Sequence, residues 1–136
     1  MTMISRKLQD RILDCFQSGH YLLGSFMRLA EVVESKDVET AAVECHVQPR
    51  LLINPDFVER WADTPEQLFM LIMHELHHVS FGHTLQPATA LDNLVFDAVI
   101  NAGLCQIFST ERYCSLFTRF YREDLFPECF LRPSSA

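Results

Sequence analysis

One segment of the chain, residues 68–81, is apolar around nearly its whole circumference when it is drawn as a helix, yet it contains histidines and a glutamate. Thr64 at the N-cap position, Pro65 at the first helical position and Gln67 three residues after the cap predict where this helix begins. Gly82 predicts its end. A helix that is apolar on all sides is buried, so the rest of the domain must be built around it.

The composition fits a single domain built around such a helix. The chain has 136 residues, of which 49% are hydrophobic and 21% charged. That is enough to form a core without disulfides or a structural metal. We therefore expect one domain over residues 1–136, with residues 132–136 as a frayed tail.

Charge and cysteine usage exclude several classes of function. A net charge of −7 argues against binding to nucleic acid, which depends on neutralising phosphates, and against docking on an anionic membrane. The longest apolar run, residues 68–73, is far shorter than the ~20 residues that span a bilayer. Five cysteines without a C-x-x-C pair, in a chain whose N-terminus lacks an export signal, predict reduced thiols and a cytoplasmic protein.

The remaining pattern predicts an α+β fold. Apolar residues recur at helical spacing over residues 5–34, and residues 40–47 alternate with period two, as in a half-buried strand. A turn and a short second strand at residues 51–53 predict a hairpin. A further apolar helix is predicted from near Thr89 to about Phe108, and another over residues 114–121. Helices packed on a small sheet would then enclose the buried helix.

The buried helix carries the sequence His74-Glu75-Leu76-His77-His78, which has the form H-E-x-x-H. Spacing i, i+4 separates the first and last imidazoles by only about 40° around the helix, so both can reach one ion. Zinc accepts neutral imidazole and keeps an open position when the protein supplies three ligands. Glu75 is rotated off the metal but stays beside its water, which is the position of a general base.

A third ligand is needed, and the sequence offers two. His83 would lie on the wrong face of a continued helix, but Gly82 allows the chain to turn back toward the ion. Asp97, a lone carboxylate on the next apolar helix, could bind the metal or accept the second ring N–H of a ligand histidine. We favour His83 as the third ligand and Asp97 as the outer carboxylate that accepts the ring N–H of a ligand histidine.

Other polar residues near these positions have simpler interpretations. His77 lies about 60° off the face of the two ligands, which suits packing or the lining of a cleft. Asn93 and Asn101 share the stripe of Asp97 on the later helix, which suits hydrogen bonds between helices. Nothing in the sequence selects a group to stabilise an oxyanion, for which the candidates are His46, Tyr113 and Tyr121.

Three separated motifs resemble the zinc metallopeptidases that are often fused to, or encoded beside, a von Willebrand A-like domain. Their pattern is a short strand ending in Asn-Pro, then H-E-x-x-H-x4-H, then N-x-A-x-D-x-x-I-N. The matching residues here are Asn54, Pro55, His74, Glu75, His78, His83, Asn93, Asp97, Ile100 and Asn101. Val95 replaces the usual Ala and Asp92 the frequent Trp, and the resemblance covers roughly residues 40–104.

The resemblance implies a zincin-like fold and a zinc-dependent hydrolase that cleaves peptide bonds in a peptide or protein substrate. In that mechanism Glu75 takes a proton from the activated water and passes it to the leaving amine. A von Willebrand A-like domain or protein is an implied partner, although no part of this sequence resembles one. Two alternatives remain: a non-catalytic zinc-containing interaction module, and a zinc hydrolase of a non-peptide amide.

Overall fold

The computed structural model describes residues 3–4, 10–12, 31–44, 50–80 and 89–133. Within this part of the chain the fold is α+β, as predicted, with a small mixed sheet and helices packed against it. Residues 10–12 are helical, in agreement with the pattern. The rest of that predicted helical region up to residue 30 lies outside the described residues, and the predicted frayed tail is described only to residue 133.

The sheet has the strand order β1-β2-β4-β3 in the described residues. Its strands are β1 (Met3–Ile4), β2 (Glu31–Glu34), β3 (Ala41–Glu44) and β4 (Arg50–Ile53). The predicted hairpin is confirmed, because β3 pairs antiparallel with β4 and places Ala41 opposite Ile53. The predicted extension of the first strand to residue 47 lies outside the described residues.

The prediction of helix up to residue 34 was wrong at its end. Residues 31–34 form β2, which pairs in parallel with β4. Val32 and Val33 are 0% and 3% exposed, because this strand lies inside the sheet between β1 and β4. Two adjacent β-branched residues favour an extended backbone, and a short buried strand lacks the alternation that would have distinguished it from a helix.

The helices are α1 (Pro55–Trp61), α2 (Pro65–Ser80), α3 (Ala90–Ile107) and α4 (Glu111–Phe120), followed by a short 3₁₀ helix, Glu128–Leu131. The predicted start of α2 is confirmed, since the Gln67 backbone N–H donates to Thr64 Oγ1 over 3.2 Å. The helix predicted from Thr89 is α3, and Thr89 and Asp92 form its capping box. The last predicted helix is α4, which begins three residues earlier than expected.

Helix α1 was not predicted. The pair Asn54-Pro55 ends a strand, as expected, but it also starts a helix. Asn54 Oδ1 accepts from the backbone N–H of Asp56 over 3.0 Å, and Pro55 occupies the first helical turn. An Asn cap followed by Pro is a strong start signal for a helix.

The predicted burial of α2 is confirmed. This helix contacts β3, α3 and α4. Its apolar residues are nearly inaccessible, with exposures of 6% or less from Leu68 to Met73 and 5% at Leu76. His74 and His78 project from this helix toward α3, where both contact Asp97.

By length and mean hydropathy alone, α3 could cross a bilayer, a test that core helices of soluble proteins also pass. One face of α3 is buried against the domain and includes Ile100 and Leu104. On the other face apolar side chains such as Leu91, Val95 and Ile107 are exposed. The buried face matters for the site, because it also carries Asp97 and Asn101.

Candidate metal centre

His74 and His78 lie one turn apart on α2, as their spacing predicts, and their rings meet edge to face. The ring centroids are 4.8 Å apart with an interplanar angle of 77°. The two Nε2 atoms are separated by 3.1 Å. The motif therefore directs the same ring nitrogen of both histidines toward one point.

Asp97 on α3 brings a carboxylate oxygen to the same point. Its Oδ1 lies 3.0 Å from Nε2 of His74 and 2.9 Å from Nε2 of His78. The side chains of His74, His78 and Asp97 are 11%, 20% and 29% exposed. The three converging atoms thus form a nearly equilateral triangle that is sheltered but remains accessible from solvent.

Asn101, one helical turn after Asp97, determines which nitrogen of His74 carries the proton. The amide nitrogen of Asn101 donates to the backbone carbonyl of Leu131 over 3.0 Å. Its oxygen therefore faces the ring and accepts from Nδ1 of His74 over 2.7 Å. Because Nδ1 holds the proton in the neutral ring, Nε2 of His74 presents its lone pair to His78 and Asp97.

This donor set fits a metal ion. Two imidazole nitrogens and a carboxylate oxygen are a ligand combination that zinc and other transition metals accept. In a tetrahedral site with bonds of ~2.0–2.1 Å, neighbouring ligand atoms are about 3.3 Å apart, only slightly farther than the separations observed here. Without a metal ion, only a proton held among these atoms would keep the Nε2 lone pair of His74 from facing a carboxylate oxygen, which is electrostatically unfavourable. The described residues His74, His78 and Asp97 could therefore hold one ion.

The electrostatics of the two carboxylates differ. Partial burial opposes the ionisation of Asp97, but the interactions with the imidazoles of His74 and His78 outweigh it and lower the pKa of Asp97 below its ordinary value. Burial raises the pKa of Glu75 to about 8, with His78 opposing the shift and Asp97 adding to it. In the metal-free protein the cluster therefore holds one firmly ionised carboxylate beside one that retains its proton.

A cavity opens on the Glu75 side of the cluster. His74 and Glu75 form part of its wall, together with Tyr121, which follows α4. Burial, helped by the nearby carboxylates of Asp97 and Glu75, raises the pKa of Tyr121 above its ordinary value. The hydroxyl therefore keeps its proton and is available as a donor, not as a base.

The other residues proposed from the sequence have varied positions. His77 donates from Nδ1 to the carbonyl of Met73 over 2.7 Å and takes no part in the described cluster. Tyr113 packs against Phe69 and Phe108, and Asn93 is exposed. His83 and His46 lie outside the described residues. The preference for His83 over Asp97 as third ligand therefore stays a prediction.

Two parts of the site were missed by the sequence analysis. The cavity wall formed by α1 and α4 could not be inferred, because its residues are ordinary core types with no chemical signature. The specific partner of Asn101 was also not identified, although a hydrogen bond between helices was expected there. The i, i+4, i+8 spacing of Asn93, Asp97 and Asn101 was the available signal, since it placed an amide one turn from the carboxylate.

Comparison with known proteins gives one family match. No curated protein and no solved structure matches the chain. Residues 5–108, more than half of the sequence, match a family described as "putative metallopeptidase domain". The match includes His74, Glu75, His78, Asp97 and Asn101, so the cluster lies within the family's own region. The chain belongs to this family.

Proposed function

We propose that this protein is a zinc-dependent metallopeptidase, with His74, His78 and Asp97 as the ligands of one zinc ion. The observation that supports this most strongly is the convergence of two Nε2 atoms and one Oδ1 atom within 2.9–3.1 Å of one another. A small mixed sheet beside a buried helix that carries the histidines also supports a zincin-like fold. The family match supports the hydrolysis of peptide bonds.

The geometry favours direct binding of the metal by Asp97 over a role in which Asp97 only hydrogen-bonds to a ligand histidine. An outer carboxylate accepts the N–H of the ring nitrogen that does not bind the metal. In His74 that nitrogen is Nδ1, and it is already bonded to Asn101. Asp97 instead contacts the Nε2 atoms of both histidines, which are the atoms directed at the common point.

Glu75 is placed to act as the general base. It follows the first ligand histidine on α2, and its side chain lines the cavity beside the cluster. A zinc ion held by the cluster would supply a Lewis acid that polarises a carbonyl and lowers the pKa of water. Glu75 would accept the proton of that water and deliver it to the leaving amine.

Tyr121 is the tyrosine that the described cavity brings together with Glu75. We propose that its hydroxyl donates a hydrogen bond to the oxygen that gains negative charge during attack on the carbonyl. The raised pKa of Tyr121 supports this role, since the group remains a donor throughout the physiological pH range.

The test measures metal content and hydrolysis separately. Purified protein should contain about one zinc per chain by plasma mass spectrometry, and His74→Ala and His78→Ala should remove it. His77→Ala is the matched control, because His77 lies on the same helix but outside the cluster. Zinc retained in both ligand variants would overturn the metal site.

Hydrolysis is followed with a mixed peptide library and mass spectrometry of the products. Glu75→Gln should retain zinc and fold but lose activity by ~10²-fold or more. Cleavage by wild type that persists in Glu75→Gln would refute the role of Glu75. Zinc-loaded wild type that cleaves no peptide would instead favour an interaction module or a hydrolase of other amides.

A further inference from the structure

The wall of the cavity beside Glu75 is mostly apolar. Its polar edge consists of Thr40, His74 and Glu75. The remaining wall comes from α1, α2, α4 and the residue that follows α4, namely Phe57, Leu71, Leu116, Phe117, Phe120 and Tyr121. The cluster of ligand residues and this apolar surface therefore meet at one position, at His74 and Glu75.

The wall is preformed by packing. Phe120 is held edge to face by Phe57, with ring centroids 4.9 Å apart, and by Tyr121, also at 4.9 Å. Leu116 and Phe117 are each 3% exposed and belong to the core. Side chains fixed in this way do not need to be ordered by a ligand, which lowers the entropic cost of binding.

The surrounding charge is negative. Among the described residues that line the cavity there is no lysine or arginine, while Glu75 is part of the wall. Asp97, Glu39 and Glu128 also lie close enough to act on Tyr121. The wall therefore offers no positive side chain to pair with an acidic one, and its polar groups besides Thr40, namely His74, Glu75 and Tyr121, already have roles in metal binding or catalysis in the proposed mechanism.

The size of the cavity limits what it can hold. Its empty volume is about 320 Å³, a figure that includes open solvent at the mouth, so the enclosed space is smaller than a typical ligand pocket. That suits a single side chain. A peptide whose carbonyl is placed beside Glu75 for attack would bring a neighbouring side chain to this position.

We propose that this cavity is a specificity subsite that accepts an apolar side chain from the residue flanking the scissile bond of a peptide substrate. This inference rests on the proposed peptidase function for the reference to a scissile bond, but the apolar binding site can be tested without hydrolysis. Burial of a Leu side chain in place of Ser should favour cleavage by on the order of 10–100-fold in kcat/KM.

Binding is tested first, on the zinc-loaded protein. The probes are N-acetyl-leucinamide and N-acetyl-serinamide, followed by methyl NMR. The leucine probe should shift the methyl signals of Leu71 and Leu116, which line the cavity, and leave those of Leu104 unchanged, since Leu104 is buried on α3 away from it. Equal shifts with both probes, or no shift at Leu71 and Leu116, would overturn the subsite.

Selectivity is tested next, with peptides that differ only in the residue on one side of the cleaved bond. The variant is Thr40→Asp, which introduces a charge at the rim, and the control is Thr110→Asp, at an exposed position before α4. Thr40→Asp should reduce the preference for Leu over Ser by 10-fold or more and improve cleavage beside Lys. Thr110→Asp should leave the preference unchanged.

The two proposals fail in different ways. Peptides cleaved with no preference for apolar residues on either side of the bond would overturn the subsite and leave the peptidase function standing. If no peptide is cleaved, the NMR titration alone decides the subsite: selective binding of the leucine probe supports it, and absence of binding overturns it.

Discussion

Asn101 offers a sharp test of how the site is organised, because it is fully buried yet contacts no substrate. It is 0% exposed and joins two parts of the chain. Its oxygen accepts from Nδ1 of His74 and its nitrogen donates to the carbonyl of Leu131. Asn101→Leu keeps nearly the same shape and removes both hydrogen bonds.

The expected magnitude follows from the groups that lose their partners. A buried donor or acceptor without a partner costs about 1–3 kcal/mol. Nδ1 of His74 is buried, whereas the Leu131 carbonyl is only partly buried and can be reached by water. The substitution should therefore lower the free energy of unfolding of the metal-free protein by about 1–3 kcal/mol. The His74 ring also loses the bond that fixes its tautomer, so zinc affinity should fall by about 10–100-fold.

The assay separates these two effects. Urea unfolding in the presence of a chelator gives the stability of the metal-free protein, and competition with a chelator of known affinity gives the zinc affinity. Asn93→Leu is the matched control, since Asn93 lies on the same helix but is exposed, and it should change stability by less than about 0.5 kcal/mol. If Asn101→Leu binds zinc as tightly as wild type, Asn101 does not orient the ligand and the reasoning is wrong.

Three further changes should be informative. Asp97→Asn should weaken zinc binding by more than ~100-fold, beyond the usual effect of an outer partner, and His83→Ala should weaken it less; the reverse order in a chelator competition would make His83 the third ligand. Tyr121→Phe should retain zinc and lower kcat by ~10²-fold, whereas unchanged kinetics would exclude the hydroxyl. In the metal-free protein, stability should fall as pH rises from about 4.5 to about 8, because Glu75 stays protonated in the folded state. Urea unfolding of Glu75→Gln should show a weaker dependence over that interval, and an identical slope would contradict the buried position of Glu75.

The parts of the fold that were predicted correctly are those encoded by local chemistry. The start of α2 was predicted because Thr64 and Gln67 form a cap within four residues. The start of α3 was correctly predicted near Thr89. The hairpin was predicted from the period-two alternation of its first strand. By contrast, β2 was misassigned, because its burial depends on pairing with β4, which is distant in sequence. Local periodicity contains no information about such a partner.

The candidate site was predictable to a similar extent and for the same reason. His74 and His78 belong to one helix, so their spacing alone brought them together. The position of Asp97 depends on how α3 packs against α2, and the sequence could not decide between its two possible roles. The cavity required the packing of α4 as well, and Leu116 or Phe120 cannot be distinguished from any other core residue before that packing is known.

The metal cluster and its surroundings come from different parts of the chain. His74, His78, Asp97 and Asn101 lie within residues 5–108, which match the family. The carbonyl of Leu131 and much of the cavity wall lie beyond the match, in α4 and the segment that follows it. The hydrogen bond from Asn101 to Leu131 links the two parts, because it makes the orientation of a proposed zinc ligand depend on the docking of the 3₁₀ helix. Any change that displaces the segment after α4 should therefore alter zinc affinity and substrate preference together.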